Sequence, residues 1–549
     1  MTLHVRWLGR VPYREALAVQ HAMFGNGRND HLLLLEHPHV FTHGQRADLA
    51  SNVLVAPASV NAELVSVKRG GDVTYHGPGQ LVGYPIVNVP NALGAADHVC
   101  TIQRVLVATL QELGVDDVGC LPAYPGVWVG VSGGNPRKIA AIGVRLANGR
   151  TMHGFALNVC PDMRYLRDYI VPCGIADKPV TSLVEEGVVV DMQHVVDVVA
   201  RHAAHAWGEP MERQDVAWKH RPDDLAPFSR GEGTVSSRAT ARLQQAGVGE
   251  GLAIATRKPE WLRPKVRLGA EVLQLQQTVR GHGLVTVCEE AGCPNLSDCW
   301  ADGTATFMVL GDRCTRACGF CLIDTRKPLE PASDEPTRVA AAIRAMALDH
   351  AVLTMVARDD LADGGFAHVA ACVRAIRAAS PRTVVETLVS DAKGDDTALH
   401  LLFDDPASRP DVFNHNVETV ARLQRAVRPS AGYARSLAVL ARAKAAGMTV
   451  KTGFMVGLGE TVDEVSGLLV DLAAIGVDIV TIGQYLRPTD GHLPVTRWAE
   501  PTEFVGWKVF GEQLGIGHVE ASPLTRSSYH AKQAAASVAV GTTATGSFV

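Results

Sequence analysis

The chain has 549 residues, 47% of them hydrophobic and 20% charged, with a formal net charge of −5. That length exceeds one compact core and predicts two or three domains. The mild negative charge argues against a general nucleic-acid binder, which would carry a basic face. The N-terminus, MTLHVRWLGRVPYREAL, shows neither the basic nor the apolar region of a signal peptide, and no run is long enough for a membrane helix. The eleven cysteines are clustered rather than spread as in a small secreted scaffold, so reduced thiols are expected. The expectation is a cytoplasmic protein with no nucleic-acid and no membrane partner.

Residues 1–215 read as one α+β domain, with runs of strands and helices set apart. HLLLLEHPHVFTHG (His31 to Gly44) holds a strand-like run ended by His37 and Pro38. A Gly-rich turn opens RGGDVTYHGPGQLVGYPIVNV (Arg69 to Val89), which ends in an alternating strand. HVCTIQRVLVATLQELG (His98 to Gly114) repeats apolar residues at helical spacing and stops at glycine. GVWVGV and KIAAIGVRLANGRTMHGFALNV (Lys138 to Val159) read as strands, the latter pair joined by a hairpin turn at Asn148 and Gly149. Three segments bring glycine together with reactive side chains: Arg69 to Gln80, Lys138 to Gly143, and Pro172-Cys-Gly-Ile175. Glycine lets backbone approach a ligand closely, and loop amides can bind a carbonyl oxygen.

RGGxxTYHGPGQ, K-x-A-x-I-G-V and PCGI closely resemble the lipoyl(octanoyl) transferases, over nearly the whole first domain. The resemblance implies a biotin/lipoate-protein-ligase-like fold. It also implies Cys173 as the acyl-accepting nucleophile and Lys138 as its partner. Thiolate is the reactive form of cysteine, and a nearby ammonium favours it. Octanoyl acyl carrier protein would be the donor, and a lysine of a lipoyl carrier domain (glycine cleavage H protein or 2-oxoacid dehydrogenase E2) the acceptor. Either Lys138 or His76 would take the proton from that lysine's amine. The acyl group would lie among Arg69, Gly70, Gly71, Asp72, Val73, Thr74, Tyr75, His76, Ala141, Ile142, Gly143, Gly154, Phe155 and Ala156.

Residues 216–256 mix Pro, Gly, Ser and charge and read as a linker, within which SSRATARLQQAG could form a short helix. The following region, 257–531, alternates strands (VVETLVSD, DVFNHNVET, TVKTGFMVGLGE, DIVTIGQYL) with helices (AAIRAMALDH, SLAVLARAKAAG, EVSGLLVDLAAIG). This α/β pattern predicts a parallel sheet closed or partly closed as a (β/α) barrel, with ligands at the carboxyl ends of its strands. The tail 532–549 is small and polar and is expected to be disordered.

Six of the cysteines fall between Cys288 and Cys321, as Cys288-x4-Cys293-x5-Cys299 and Cys314-x3-Cys318-x2-Cys321. Three thiolates can hold three irons of a cubic [4Fe–4S] cluster and leave the fourth open. A zinc site, a disulfide framework or buried structural thiols are the alternatives, although structural zinc prefers ligand pairs with a fourth Cys or His close by.

CxxxCxxC with Phe320 before its last cysteine resembles the radical S-adenosylmethionine enzymes, and MVGLGE resembles their glycine-rich strand end. The first triplet, with RDDLADGG, NHNVET, TIGQYLRP, HLPV and RSSYHA, resembles lipoyl synthase. That resemblance implies two [4Fe–4S] clusters and S-adenosyl-L-methionine as cofactors. Cys314, Cys318 and Cys321 would hold one cluster. Cys288, Cys293, Cys299 and Ser528 would hold an auxiliary cluster that donates sulfur to C6 and C8 of the octanoyl chain, with Ser527 as the near alternative ligand. Asn414, Asn416, Gly457, Gly459 and Glu460 would contact the cofactor, and a ferredoxin or flavodoxin would supply electrons. Ala357 stands where the family usually carries an acidic residue, and the 390–396 segment also departs from the family's pattern. The two halves would then catalyse consecutive steps of lipoate biosynthesis. An octanoyl transferase fused to an iron–sulfur electron-transfer or inactive radical domain is the competing expectation.

Overall fold

The computed structural model describes residues 2–45, 47–90, 92–122, 124–218, 241–249, 251–253, 256–263, 281, 285–286 and 295–544. It divides into two compact units, 1–218 and 219–549.

In the first unit the elements run β1 (Leu3–Arg10), α1 (Tyr13–Asn26), β2 (Asp30–Glu36), β3 (Val40–His43), β4 (Glu63–Ser66), β5 (Thr74–His76), β6 (Gln80–Ile86), α2 (Ala95–Glu112), β7 (Val118–Leu121), β8 (Tyr124–Val129), β9 (Arg137–Ala147), β10 (Arg150–Asn158), α3 (Met192–Trp207) and β11 (Met211–Asp215). Eight strands form a mixed sheet ordered β11-β1-β2-β6-β10-β9-β8-β7, and β4-β3-β5 form a second, small sheet. Ile102, Leu106 and Leu110 of α2 and Val195 and Val199 of α3 share a core with Leu32, Leu34, Leu81 and Leu157 of the large sheet. Asp97 accepts from the Gly94 amide and Asp191 from that of His194, so both helices begin with a carboxylate on an otherwise unpaired amide.

The hairpin between β9 and β10 forms where Asn-Gly predicts it. Ala147 pairs with Arg150, and Asn148 and Gly149 both have positive φ, at 53° and 70°. That turn sets Gly143 opposite Gly154, Ile142 opposite Phe155 and Ala141 opposite Ala156.

The second unit contains β12 (Val285–Thr286), α4 (Leu296–Ala301), β13 (Thr304–Val309), α5 (Glu335–Ala345), β14 (His350–Met355), α6 (Phe366–Ala379), β15 (Val384–Leu388), α7 (Asp396–Phe403), β16 (Val412–Asn414), α8 (Tyr433–Ala445), β17 (Thr449–Val456), α9 (Val462–Ala474), β18 (Ile479–Gln484), α10 (Pro501–Gln513), β19 (His518–Ala521) and α11 (Ala531–Ala544). Strands β13 to β19 are parallel and follow one another in chain order, with β12 antiparallel at the edge. Among the described strands β19 does not pair back to β13, so the barrel is open. Between neighbouring strands, Glu386 accepts from the buried Lys451 ammonium (3.0 Å) and from Asn414 (2.8 Å). No described helix is long and apolar enough to cross a membrane.

Two segments differ from expectation. The tail was expected to be disordered, yet Ala531–Ala544 is a helix: Ala531 and Ala534 are buried, Lys532 pairs with Asp349, and Gln533 donates to Asp302. The tail reads as small and polar, but it is rich in alanine, the best helix former. Within the expected linker, Leu243, Ala246 and Val248 are buried, and the Leu252 amide donates to Val495 of the second unit.

Candidate active sites

In the first unit a partly open cavity is lined by Cys173 and by eleven of the residues expected around the acyl group: Arg69, Gly70, Gly71, Thr74, His76, Ala141, Ile142, Gly143, Gly154, Phe155 and Ala156. Tyr13, Tyr84 and His153 complete the lining, and no sequence motif singled them out. Asp72, Val73 and Tyr75 do not line it. Side chains alternate along a strand, so Thr74 and His76 face the cavity while Tyr75 turns the other way to stack on Tyr165 and bond His39. Val73 belongs to that second apolar cluster, and its carbonyl accepts from the Cys173 amide at 2.8 Å. The Asp72 carboxylate folds back onto the Val73 amide. Glycine at 154 is a steric requirement, because a Cβ there would lie 2.1 Å from the Gly83 carbonyl oxygen.

Cys173 is half-buried on a short turn and holds φ 58° and ψ 20°, a left-handed conformation costly for a residue with a Cβ. Arg69 is fixed by donating to Thr42 O (2.7 Å), Thr42 Oγ1 (3.0 Å) and Gly70 O (2.9 Å). Burial lowers its affinity for the proton, against the pull of Tyr13 and Cys173. The imidazoles here are neutral: burial brings His76 to about 3, with His37 adding to the effect, and brings His153 to about 3. His76 also spends both ring nitrogens, on Gln80 (2.9 Å) and Thr42 (3.4 Å). Lys138 lies outside the cavity lining. It is buried, with Nζ 4.9 Å from the Trp128 ring centroid, and its main chain is bonded to Pro179 and Thr181.

In the second unit Cys314, Cys318 and Cys321 are half-exposed on one loop between β13 and α5. Cys314 N donates to Asp324 O (2.8 Å), Thr315 N to Ala357 O (2.9 Å) and Gly319 N to Val427 O (2.9 Å). Thr315 Oγ1 also donates to Ala357 O at 2.9 Å, so position 357 serves this loop through its carbonyl, which alanine supplies as well as an acidic residue would. A Cβ on Gly319 would stand 2.7 Å from Leu493. Burial, with Cys321 adding to it, pushes the Cys318 thiol up to about 12, while Arg428 pulls it down.

Among the described residues no three His, Cys, Asp or Glu side chains converge on a single-ion site. Three thiols on one loop suit an iron–sulfur cluster with one open iron. At the neighbouring strand ends, Asn416 Oδ1 is buried without a partner and its amide donates to Ser527 Oγ (2.8 Å). Asn414 instead turns to Glu386. The Glu460 carboxylate accepts the Gly457 and Leu458 amides at 2.6 and 2.9 Å, shaping the glycine turn from within. Gly457 is required, since its φ is 97° and a Cβ would fall 2.8 Å from the Arg497 carbonyl oxygen. A Cβ on Gly459 would strike Val248 at 2.6 Å.

Of the first cysteine triplet, Cys288 and Cys293 lie outside the described residues, while Cys299 is buried on α4. The RSSY turn comes to that helix. Asn295 donates to Leu524 O at 2.7 Å, and burial, with Asp298, Glu520 and Cys299 nearby, raises the Tyr529 phenol.

Residues 12–204 match the family described as the lipoyl protein ligase A/B catalytic domain, and residues 308–472 match the radical SAM superfamily. The chain belongs to the lipoyl synthase family, with a lipoyl protein ligase A/B catalytic domain fused ahead of the synthase region. It is 52% identical over 278 residues to the lipoyl synthase of Rubrobacter xylanophilus, covering 50% of this chain and 86% of that protein. The Mycobacterium tuberculosis lipoyl synthase is 52% identical over 275 residues, covering 50% and 88%. Among solved structures, the bi-partite lipoate protein ligase of Thermoplasma acidophilum is 16% identical with a TM-score of 0.34, covering 40% of this chain and 89% of that one. The protein is thus an enzyme of lipoate biosynthesis with an octanoyltransferase domain and a radical SAM sulfurtransferase domain.

Proposed function

We propose that the first domain (1–215) moves an octanoyl group from octanoyl acyl carrier protein to a carrier-domain lysine, and that the synthase domain (257–531) converts it to lipoyl-lysine in the cytoplasm. The carrying observation is Cys173, held on a left-handed turn in the wall of a cavity built from the glycine-rich segments. Its thiolate attacks the donor thioester, and the carrier leaves as a thiol by taking a proton from the Lys138 ammonium, which becomes a neutral amine. The target amine then attacks acyl-Cys173, the amide forms, and the thiolate leaves. Lys138 takes the amine's proton, since His76 is too weak a base and both its nitrogens are engaged. Arg69 and the loop amide of Gly71 hold the acyl carbonyl.

In the synthase domain Cys314, Cys318 and Cys321 hold a [4Fe–4S] cluster, and Asn416 and the Gly457–Glu460 turn hold S-adenosylmethionine. When bound, this pair supplies a 5′-deoxyadenosyl radical able to take hydrogen from an unactivated C–H bond. Cys288, Cys293, Cys299 and Ser528 hold a second cluster, which is the sulfur-donating substrate. Ser527 Oγ is engaged by Asn416, which supports Ser528 as its ligand. A ferredoxin or flavodoxin supplies electrons, and an H protein or E2 domain carries the octanoyl-lysine.

The test is mass spectrometry of a carrier domain incubated with the full chain, octanoyl donor, reductant and S-adenosylmethionine. The octanoyl mass should appear first and the lipoyl mass after it. Cys173→Ser should abolish the first step while preformed octanoyl-carrier is still converted; unchanged single-turnover transfer by this variant would end the assignment.

A further inference from the structure

Arg316 lies inside the second triplet, between Cys314 and Cys318, and its side chain is only 6% exposed. Its guanidinium donates from Nε and Nη2 to the two Asp359 oxygens at 2.7 and 2.8 Å, and from Nη2 again to Asp391 at 2.7 Å. Asp359 follows β14 and Asp391 follows β15, so one side chain ties the cysteine loop to two successive strand ends. The carboxylates are themselves fixed. The Asp359 main chain is held on both sides, its amide donating to Thr315 Oγ1 (3.0 Å) and its carbonyl accepting from Lys393 Nζ (2.8 Å). Asp391 is fully buried and also accepts the Lys393 amide at 3.0 Å. Ala392 and Lys393 hold φ of 47° and 52°, so the altered 390–396 segment is a turn bent to present Asp391.

Burying three charges is an inefficient way to stabilise a fold, since desolvation offsets most of the attraction. Arginine's planar fork, by contrast, fixes direction on two carboxylates at once. We propose that Arg316, oriented by Asp359 and Asp391, is a positioning residue that sets the thiols of Cys314, Cys318 and Cys321 for the radical-generating cluster. The inference rests on the proposed cluster at these cysteines. It adds a second shell whose loss costs typically about 10- to 100-fold in activity or affinity for the group held.

The test compares anaerobically reconstituted full-length parent with Arg316→Lys, Asp359→Asn and Asp391→Asn. Iron content, the electron paramagnetic resonance spectrum of the reduced cluster with and without S-adenosylmethionine, and kcat and KM for 5′-deoxyadenosine formation are measured. The expected result is parental iron content, an altered spectrum, and kcat lowered about 10- to 100-fold with little change in KM. Parental spectra in the variants overturn the inference, including where the rate falls, because general destabilisation lowers rate without changing line shape. Should Asp391→Asn fail to fold, Asp359→Asn, at the more exposed partner, decides by the same criterion. A parent that binds no cluster overturns the proposed function and this inference with it; a competent parent with indistinguishable variants overturns the inference alone.

Discussion

Glu386 shows what a single buried charge asks of its neighbours. Burial alone would raise its carboxyl, but the Lys451 ammonium, with His350 and Asn414, holds it at about 2 instead of 4.5. Because the folded value is the lower one, the pairing stabilises the fold fully above about pH 4.5, and that contribution is lost as pH falls towards about 2. A shift of this size corresponds to roughly 3 kcal/mol. Glu386→Gln should therefore flatten the acid side of the synthase domain's stability profile, measured by denaturant unfolding between those two pH values; a profile parallel to the parent's would refute the pairing. Lys451→Met should cost about 3–5 kcal/mol by stranding the carboxylate, and adding Glu386→Gln should recover most of it.

At the level of elements, glycines decide how closely segments approach. Gly483 of β18 faces the turn before RSSY so tightly that a Cβ would lie 2.1 Å from the Thr525 carbonyl oxygen. The flanking bonds, Gln484 N to Pro523 O and Ser522 N to Ile482 O, both 3.2 Å, hold that turn in place. Gly483→Ala should displace the serine turn. Iron bound after reconstitution should fall towards half, with the radical cluster retained; full iron content would show that the turn tolerates the shift. Local chemistry made many elements readable in advance. Asn148-Gly149 predicts its hairpin because both residues accept positive φ, and the β17 strand with its Gly457 end announces itself by composition. The motifs likewise fall on most of the lining of the Cys173 cavity, but not on Tyr13, Tyr84 and His153, which reach it from α1, β6 and β10. The Arg316–Asp391 contact spans 75 residues and leaves no local trace. Leu243 to Val248 read as linker because a few apolar residues among Gly and Gln show no periodicity, yet they belong to the second unit, where Arg422 donates to the Ala246 carbonyl and Val248 lies against Gly459.

For the whole molecule, fusion places a lipoyl protein ligase A/B catalytic domain and a lipoyl synthase, the proposed producer and consumer of octanoyl-lysine, on one chain. Tethering raises the effective concentration of the second site near the first without any new contact. At low, equal concentrations the intact chain should lipoylate a carrier domain faster than a mixture of its separated halves, with the advantage fading as concentration rises. Equal rates at every concentration would show that the carrier is fully released between steps.

The anchoring of Cys299 also implies an order of construction. Its helix is fastened by Asn295 to Leu524, 229 positions later, whereas the Cys314–Cys321 loop is bonded to Asp324, Ala357, Val427 and Leu493, all made sooner. On the proposed reading, the Cys314–Cys321 loop can therefore be framed on the ribosome while the Cys299 site still lacks its serine turn, so iron loading of the first triplet should wait until that turn is made.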